Sequence, residues 1–303
     1  MKQVVLITGA NGMLAKSLSK ELENKYTIRF LTRKVKKYNE YLWDIERRFI
    51  DPKALNGVHH IIHLAGSSVT NKRWSKERKK NIYSSRINSS QLILHELEKN
   101  QLTIDTFISA SATGYYGSTT TDKLLIEESP NGVDFLSDVC NQWENAAHSF
   151  KLKKVANRIL ILRIGIILSK NNGALKKIAQ PIKYRIGSGI GTGNQWIPWI
   201  HILDLCRMFK FLLENNEIKG IFNAVSPMNT TNIELIRKVA KGLGRRIVLP
   251  NIPAFIIKIL YGEMAIILLK GNRVSSDKIE RSGFVFVYKN LEIALRNLLG
   301  KTT

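Results

Sequence analysis

The chain has 303 residues, 44% of them hydrophobic, and its 47 Lys and Arg against 24 Asp and Glu give a net charge of +23. This length allows a sizeable core, and basic residues spread without a long run or a recognisable nucleic-acid-binding module favour a solvated basic surface over a specific nucleic-acid partner. Two cysteines without metal-ligand spacing, no visible secretory signal and no continuous apolar stretch of about 20 residues predict a cytoplasmic protein with no membrane span and no metal site.

Short apolar runs alternate with helical patterns along the chain. Runs of Val, Ile and Leu without polar alternation predict strands covered on both faces, and hence a parallel sheet with crossover helices. The predicted strands are 3–8, 27–32, 59–65, 106–112, 158–168 and 220–225, and the helical patterns are 13–24, 75–99, 134–150 and 232–243. The predicted fold is α/β, a doubly wound parallel sheet.

The domain organisation follows from a change in composition after the fifth predicted strand. Residues 168–205 are rich in glycine and contain two tryptophans, which predicts a long loop over a cleft before strand 220–225 returns to the sheet. We therefore expect a dinucleotide-binding domain over 1–248 and a small, mostly helical C-terminal domain over 249–298.

The segment "ITGANGMLAKSL" (7–18) joins the first predicted strand to the first predicted helix. Gly9 suits the tight turn, Gly12 lets the main chain approach a pyrophosphate at the helix N-terminus, and Ala15 is small enough for packing of the helix on the strand. In this context the pattern predicts dinucleotide binding, with a plain strand–turn–helix unit as the alternative.

The end of the second predicted strand, "FLTRKVKK", indicates which dinucleotide is bound. An acid near this position would bond the ribose 2′-hydroxyl, whereas an arginine accommodates a 2′-phosphate. Arg33, with Lys34 beside it and no acid near, therefore favours NADP(H) over NAD(H), the alternative being that Arg33 is only a solvated residue at a strand end.

Longer motifs carry a resemblance to a known family: "LAGSSVTNKRWSKERKKNIYSSRINSS", "SASATGYYG", "FLSDVCNQWENAA", "LRIGIILSKNNGAL", "GSGIGTGNQWIPWIHILDL" and "LYGEMAIILLKGNRV". The chain resembles the nucleotide-sugar-epimerase-like family of extended, or atypical, short-chain dehydrogenases. The resemblance covers roughly Val4 to Leu298 and implies a Rossmann domain with a short C-terminal extension and an NADP-linked fold of epimerase type. It implies no particular substrate.

The resemblance also implies a set of cofactor contacts at the ends of the predicted strands. Ile164 to Ile167 should lie near the nicotinamide, while Asn81 stands where relatives often have Glu, so that contact is left open. The implied cofactor residues are Gly9, Asn11, Gly12, Met13, Leu14, Thr32, Arg33, Leu64, Ala65, Gly66, Arg86 and Ile166.

Short-chain dehydrogenases use a serine or threonine to hold the substrate oxygen, a tyrosine as acid/base and a lysine four residues later. "SASATGYYG" supplies Ser111, with Thr113 as the alternative, but "CNQWE" stands where Tyr-x-x-x-Lys is expected. Cys140 and Glu144 thus replace the pair, and a carboxylate beside the thiol disfavours its thiolate. Cys140 is otherwise read as a small buried helix residue.

A substitute acid/base is sought in Tyr115 or Tyr116, and nearby positive charge in Lys72 or Arg73. Each of these residues also has a structural alternative, because aromatic residues at strand ends usually pack. The residues expected to contact substrate or wall the cleft are Lys72, Arg73, Trp74, Gln195, Trp196 and Trp199. His201 and Asp204 could form a catalytic pair, but in extended short-chain enzymes they support the sheet and the following helix.

Two functions remain open at this point. The first is an NADP(H)-dependent oxidoreductase or epimerase for a small polar, sugar-like or carbonyl substrate, favoured by the glycine-rich, tryptophan-containing cleft segment. The second is a non-catalytic NADP(H)-binding sensor or scaffold, favoured by the missing Tyr and Lys. The resemblance also leaves a homodimer open.

Overall fold

The computed structural model describes residues 2–170 and 172–300, and strands alternate with helices along most of that length. The strands are β1 (Val4–Thr8), β2 (Thr27–Thr32), β3 (Glu40–Asp44), β4 (Phe49–Ile50), β5 (Val58–His63), β6 (Ile104–Ala112), β7 (Leu124–Leu125), β8 (Ala156–Ile164), β9 (Ile166–Leu168), β10 (Trp199–His201), β11 (Gly220–Ala224) and β12 (Arg273–Val274). The helices are α1 (Met13–Leu22), α2 (Lys76–Ser84), α3 (Ile87–Lys99), α4 (Phe135–Leu152), α5 (Gly173–Lys183), α6 (Ile202–Glu214), α7 (Asn232–Gly242), α8 (Ala254–Tyr261), α9 (Ile266–Leu269), α10 (Asp277–Arg281) and α11 (Leu291–Leu299).

One sheet of eight strands, in the order β11-β8-β6-β5-β1-β2-β3-β4, forms the centre of the described chain. Its neighbouring strands are parallel except for β3 and β4, which are antiparallel. The strand order reverses between β5 and β1, so the carboxyl ends of these two strands form the switch point at which doubly wound sheets bind ligands. The predicted α/β, doubly wound sheet is confirmed, with the correction that its last edge strand is antiparallel.

Apolar side chains cover both faces of the sheet. On one face, Leu18 of α1 and Phe209 of α6 are fully buried in one cluster with Ile7 of β1. On the other face, α3 and α4 cover the strands, and the rings of Phe107 and Phe150 stack with their centroids 3.8 Å apart. Strands buried in this way on both sides explain the unbroken apolar runs in the sequence.

Several element boundaries differ from the prediction. Each predicted strand overlaps an observed one, but the run 158–168 divides at Gly165 into β8 and β9, and β9 pairs with β10 outside the central sheet. Gly165 is needed there because a Cβ atom would lie 2.6 Å from the carbonyl oxygen of Pro198. The predicted helix 75–99 is two helices, α2 and α3, and the predicted loop 168–205 contains α5 and β10.

The C-terminal part is mostly helical, as predicted, and it is tied to the rest of the chain at two places. Its short strand β12 pairs in parallel with β7, and Leu295 of α11 lies in one buried cluster with Val239 of α7 and Trp199. The domain boundary at 248/249 stays a prediction. Among the described residues, no helix combines the length and apolarity needed to cross a bilayer.

Candidate cofactor and active site

The turn between β1 and α1 has the geometry that the glycine pattern predicts. Gly9 has φ +75°, and a Cβ atom there would lie 3.1 Å from the carbonyl oxygen of Leu64, so the turn closes directly on the loop after β5. The amide of Gly12 donates to the carbonyl of Gly9 over 2.8 Å. Gly12 is also the N-cap of α1, and no side chain caps the helix there. The helix N-terminus can therefore receive an anion from outside the protein.

A buried hydrogen-bond network fixes the two loops that meet at this turn. Thr8 Oγ1 accepts from the amides of Leu64 and Ala65, each over 2.9 Å, and lies 3.1 Å from His63 Nδ1. Because Thr8 Oγ1 already accepts two protons, its own proton is directed to Nδ1, which leaves Nε2 of His63 protonated towards Ser89 Oγ at 3.1 Å. Burial lowers the pKa of His63 to about 4, so the ring is neutral near pH 7.

Arg86 lies under the loop after β5. A Cβ atom on Gly66 would lie 3.0 Å from Arg86 Cζ, and the guanidinium also stacks over the Trp143 ring at 5.1 Å from its centroid. Arg86 Nη1 donates to the carbonyl of Ile82, and burial lowers the pKa of Arg86 to about 10. The structure thus brings Arg86 to the predicted cofactor loop, with its side chain against Gly66.

The remaining predicted cofactor residues lie around the same edge. Met13 Sδ accepts from Ser169 Oγ over 2.6 Å, which joins the start of α1 to the segment after β9. Asn11 is exposed, whereas Leu14 and Ile166 are half-buried. The first turn of α1 and the segment after β9 are therefore held together.

β2 ends at Thr32, next to the turn, and Arg33 follows it. Thr32 is buried and its hydroxyl bonds with the backbone of Lys34, which makes a local turn. Arg33 is exposed, and its side chain makes no hydrogen bond or ion pair within the described chain. A cation without an internal partner is available here for a ligand phosphate.

Ser111, the penultimate residue of β6, belongs to a buried ionic network. Its Oγ, on a side chain only 3% exposed, donates to Glu144 Oε1 over 2.6 Å. Arg163 of β8 holds the same carboxylate with Nε on Oε1 and Nη2 on Oε2, both at 2.9 Å, and both side chains are buried. The proton of Ser111 is thus committed to Glu144, so towards the cleft its oxygen offers only lone pairs.

Tyr116 extends this network and does not fit the proton-transfer role considered for it. It is 5% exposed, and its hydroxyl donates to Asn223 Oδ1 over 2.6 Å and accepts from Arg163 Nη1 over 3.1 Å. Burial raises the pKa of Tyr116 to about 12. The assignment of Tyr116 to catalysis is therefore corrected, because its hydroxyl is engaged inside the protein and is a weak acid.

Tyr115 and Thr113 are half-buried residues of the same turn. The Arg163 guanidinium stacks on the Tyr115 ring, with Cζ 3.4 Å from the centroid. The hydroxyls of Tyr115 and Thr113 have no hydrogen-bond partner within residues 2–170 and 172–300, so both remain free for a substrate. Of the two tyrosines, Tyr115 is the one with an available hydroxyl.

Cys140 is a buried residue of α4, as the alternative interpretation expected. Burial raises the pKa of Cys140 to about 12, and the Glu144 carboxylate acts in the same direction. The thiol is therefore protonated near pH 7 and is not an activated nucleophile.

The loop between β5 and α2 carries three of the predicted substrate contacts. Lys72 is exposed, but Arg73 Nη2 donates to the carbonyl of Ile259 at the end of α8 over 3.0 Å. Trp74 is half-buried, and its ring meets that of Phe135 edge-on at 5.1 Å. Arg73 thus fastens this loop to the C-terminal part, while Lys72 and Trp74 keep surface that a substrate could reach.

Of the three predicted wall residues in the segment 195–199, two are buried and one is half-buried. Trp199 is 1% exposed in a core cluster, with its Nε1 donating to the carbonyl of Met228, and Gln195 is also 1% exposed. Gln195 Nε2 donates to the carbonyls of Ile190 and Leu268. The assignment of Trp199 and Gln195 to substrate contact is therefore corrected, because both side chains are buried and instead support the surrounding structure. Trp196 is half-buried.

His201 and Asp204 support the fold. His201 Nδ1 caps α6 by accepting from the amide of Leu203, and its ring stacks 3.7 Å from Tyr288. Asp204 accepts from the amides of Val287 and Tyr288 over 3.0 and 2.8 Å. Both side chains therefore hold the C-terminal segment against α6.

Sequence reasoning missed Arg163, the residue that compensates Glu144. The available signal was the position of Arg163 in the middle of the run "RILILRIGIIL", in which Arg158 at the start is the only other charged residue. A charge in a strand that is covered on both faces needs a buried partner.

Comparison with known proteins identifies relatives over the whole chain. Residues 5–135 match the NAD dependent epimerase/dehydratase family, and residues 252–298 match a domain of unknown function, DUF1731. The epimerase family protein SAR0825 of Staphylococcus aureus (strain MRSA252) is 34% identical over 314 residues, covering 99% of this chain and 100% of the relative. The epimerase family protein SH2119 of Staphylococcus haemolyticus (strain JCSC1435) is 32% identical and covers 99% of both chains.

Solved structures share the fold. The human epimerase family protein SDR39U1 (isoform 2), solved with NADPH, has a TM-score of 0.88 and 27% identity, covering 98% of this chain and 99% of that one. A nucleoside-diphosphate sugar epimerase from Corynebacterium glutamicum has a TM-score of 0.80 and 26% identity, covering 99% of this chain and 59% of that one. The UDP-glucuronic acid 4-epimerase from Bacillus cereus has a TM-score of 0.78 at 16% identity, a likeness of fold alone.

Proposed function

The chain belongs to the epimerase family, of the NAD(P)-binding extended short-chain dehydrogenase type, and from this premise we propose that it is an NADP(H)-dependent, epimerase-like oxidoreductase. Its substrate is a small polar molecule, sugar-like or carbonyl-bearing. The observation that carries the proposal is the uncapped N-terminus of α1 behind the Gly9 turn, together with Arg33, which has no partner of its own in the described chain.

The residues around the switch point fit NADP(H). The main-chain amides at the start of α1 would bind the pyrophosphate, and the Arg33 guanidinium would bind the 2′-phosphate. Leu64, Ala65 and Gly66, tied to Thr8 and backed by Arg86, would line the cofactor. The relative solved with NADPH supports the phosphorylated form of the cofactor.

NADP(H), when bound, supplies or takes the hydride, and the protein's own groups handle the substrate proton. Because the Ser111 proton goes to Glu144, Ser111 Oγ would accept a hydrogen bond from a substrate hydroxyl. Tyr115, whose hydroxyl is not engaged within the described chain, would transfer the proton, with the Arg163 guanidinium stacked on its ring as the nearest positive charge. Thr113 is the second hydroxyl available for positioning.

Two titrations and a turnover assay test the proposal. We expect fluorescence titration to give an NADPH Kd about tenfold or more below that for NADH, because only NADPH has the 2′-phosphate. NADPH oxidation is then followed across a panel of carbonyl compounds and sugars, with Ser111→Ala and its matched control Ser109→Ala two residues earlier on the same strand. Turnover that falls in Ser111→Ala and persists in Ser109→Ala supports the proposal.

The proton donor is tested with the two neighbouring tyrosines. Tyr115→Phe should lower kcat by about 10² or more, the usual contribution of a general acid, while Tyr116→Phe should keep its kcat. The reverse ranking would return the role to Tyr116 and contradict the assignment of Tyr115.

A second function, a non-catalytic NADP(H)-binding sensor or scaffold, is favoured by one observation. Ser111, Cys140 and Glu144, which stand at the positions of the catalytic trio, are all buried and bonded or uncharged inside the protein. NADPH binding without turnover on any member of the panel would select this function.

A further inference from the structure

Arg273 is a half-buried arginine that has neither a carboxylate partner nor a hydrogen-bond acceptor among the described residues. It lies on β12, and its Nε is buried without a hydrogen-bond partner. Its side chain makes no hydrogen bond and no ion pair with any of residues 2–170 and 172–300. Burying part of a cation without a partner is unfavourable, so this position needs an explanation.

Two other buried arginines of the chain show what compensation looks like. Arg158 donates to the hydroxyl of Thr106 and to four main-chain carbonyls near the end of α6. Arg163 is held by the carboxylate of Glu144. In contrast to these two arginines, Arg273 has no acceptor in the described chain for its N–H groups.

The guanidinium of Arg273 lies over the ring of Trp196, with Cζ 5.5 Å from the centroid. Trp196 is held in place, because its carbonyl oxygen passes so close to Gly271 that no Cβ atom could be present there. The preceding residue, Gln195, has a buried Oε1 without a donor, a second unmet polar atom in this short segment. A guanidinium stacked on a ring keeps its in-plane N–H groups available, and the two Nη atoms of Arg273, which have no acceptor in the described chain, can donate two hydrogen bonds to an anion.

Arg273 is also tied to the turn that carries Tyr115. The preceding residue, Asn272, is buried, and its Nδ2 donates to the carbonyl of Gly117 while its Oδ1 accepts from Thr119 Oγ1. The following residue, Val274, is packed in one buried cluster with Tyr116 and Val225. Asn272, next to Arg273, is thus bonded to Gly117 and Thr119, which follow the proposed proton donor Tyr115 by two and four residues.

We propose that Arg273, stacked on Trp196, binds an anionic group of the substrate, a phosphate or a carboxylate. The inference rests on the proposed function for its link to turnover, but the anion site itself does not require it. Phosphate and carboxylate share the paired oxygens that a guanidinium edge recognises, so the probe experiment distinguishes them.

The anion site is tested by following the arginine Nε–H resonances in ¹H–¹⁵N spectra during titration with inorganic phosphate and with acetate at constant ionic strength. The Arg273 resonance is identified by its absence from the spectrum of Arg273→Lys. It should shift saturably with at least one of the two anions, and the tighter one identifies the class of group bound. The exposed Arg237 of α7 is the internal control and should not saturate in the same range.

Variants connect the site to affinity. Arg273→Gln should weaken binding of the preferred anion about tenfold or more, Arg273→Lys should fall between it and wild type, and Arg237→Gln should match wild type within about twofold. A thermal melt of each variant confirms that it is folded. An Arg273 resonance that saturates with neither anion, or equal anion affinity in Arg273→Gln and wild type, overturns the inference.

The failure of this inference and that of the proposed function are separable. NADPH affinity should be unchanged in Arg273→Gln, because Arg273 is not part of the cofactor turn. If wild type does not bind NADPH but the Arg273 resonance responds to an anion, only the proposed function fails. If turnover is found, anionic members of the panel should be preferred, and Arg273→Gln should raise KM for them with little change in kcat.

Discussion

At the carboxyl ends of β1 and β2, no side chain caps the start of α1, and the Arg33 side chain has no partner in the described chain. At the carboxyl end of β6, by contrast, the polar groups of Ser111, Glu144 and Arg163 bond to one another. Under the proposed function, the first region would bind the phosphates of the cofactor. In the second region the charged groups are paired with one another and need no ligand.

This difference separates the proposed cofactor region, which depends on backbone geometry and one exposed arginine, from the region where the resemblance implies a catalytic Tyr and Lys. The latter region holds a buried ion pair, and within the described chain Tyr115 has the only tyrosine hydroxyl of the adjoining turn without a partner. Substitutions in the ion pair should therefore lower the stability of the protein, whereas substitutions in the turn should lower its affinity for the cofactor.

The largest effect is expected from breaking the buried ion pair. Arg163→Met leaves the Glu144 carboxylate buried without its partner and should lower the free energy of unfolding by about 3–5 kcal/mol, measured by urea denaturation. The double variant Arg163→Met/Glu144→Leu should recover part of this loss, since no charge is left unpaired. As a control, Lys210→Met removes the half-exposed pair with Glu21 and should cost less than about 1 kcal/mol. Equal losses in the two single variants would contradict the comparison.

The second effect is a pH dependence of the free energy of unfolding, caused by His63 beneath the cofactor turn. Burial lowers the pKa of His63 from 6.5 to about 4 in the folded chain, so between these values the unfolded chain binds more protons. The stabilisation is complete above pH 6.5 and is lost as the pH falls towards 4, by about 2 kcal/mol between pH 7.5 and 5. Urea unfolding at several pH values should show this part of the slope disappear in His63→Gln. The exposed His148 serves as the control, and a slope unchanged in His63→Gln but reduced in His148→Gln would refute the assignment.

The third effect sharpens the description of the turn. Gly9→Ala forces an alanine into φ +75° and puts its Cβ 3.1 Å from the Leu64 carbonyl oxygen. The free variant can relieve this strain by shifting the turn, and NADPH binding must then restore the original turn at a cost of about 1–2 kcal/mol. NADPH affinity should therefore fall about 5- to 30-fold in a fluorescence titration. Gly57→Ala is the matched control. Gly57 has φ +65°, an added Cβ atom there would have no neighbouring atom within 4 Å, and the residue lies before β5, at the other end of the sheet. It should lose stability and keep its NADPH affinity.

The same contrast explains what could be predicted from the sequence. Parallel strands covered on both faces leave unbroken apolar runs, and a cofactor turn leaves glycines at fixed spacing, so both are visible locally. The pairing of Glu144 with Arg163 joins a helix to a strand, and the kink at Gly165 is set by Pro198, so neither has a local pattern. Trp199 and Gln195 were expected at the cleft because composition alone does not show which side chains the chain covers later.

The smallest effect tests the choice of cofactor. Arg33 is exposed, so its pairing with a 2′-phosphate is partly screened by solvent, and Arg33→Ala should weaken NADPH binding about tenfold at low salt. NADH affinity should not change, since NADH lacks the phosphate, and the NADPH/NADH ratio should therefore fall by the same factor. Lys37→Ala removes another exposed charge four residues further along and should leave the ratio within about twofold. If Arg33→Ala weakens both cofactors equally, Arg33 contributes general positive potential and the preference for NADP(H) must come from another group.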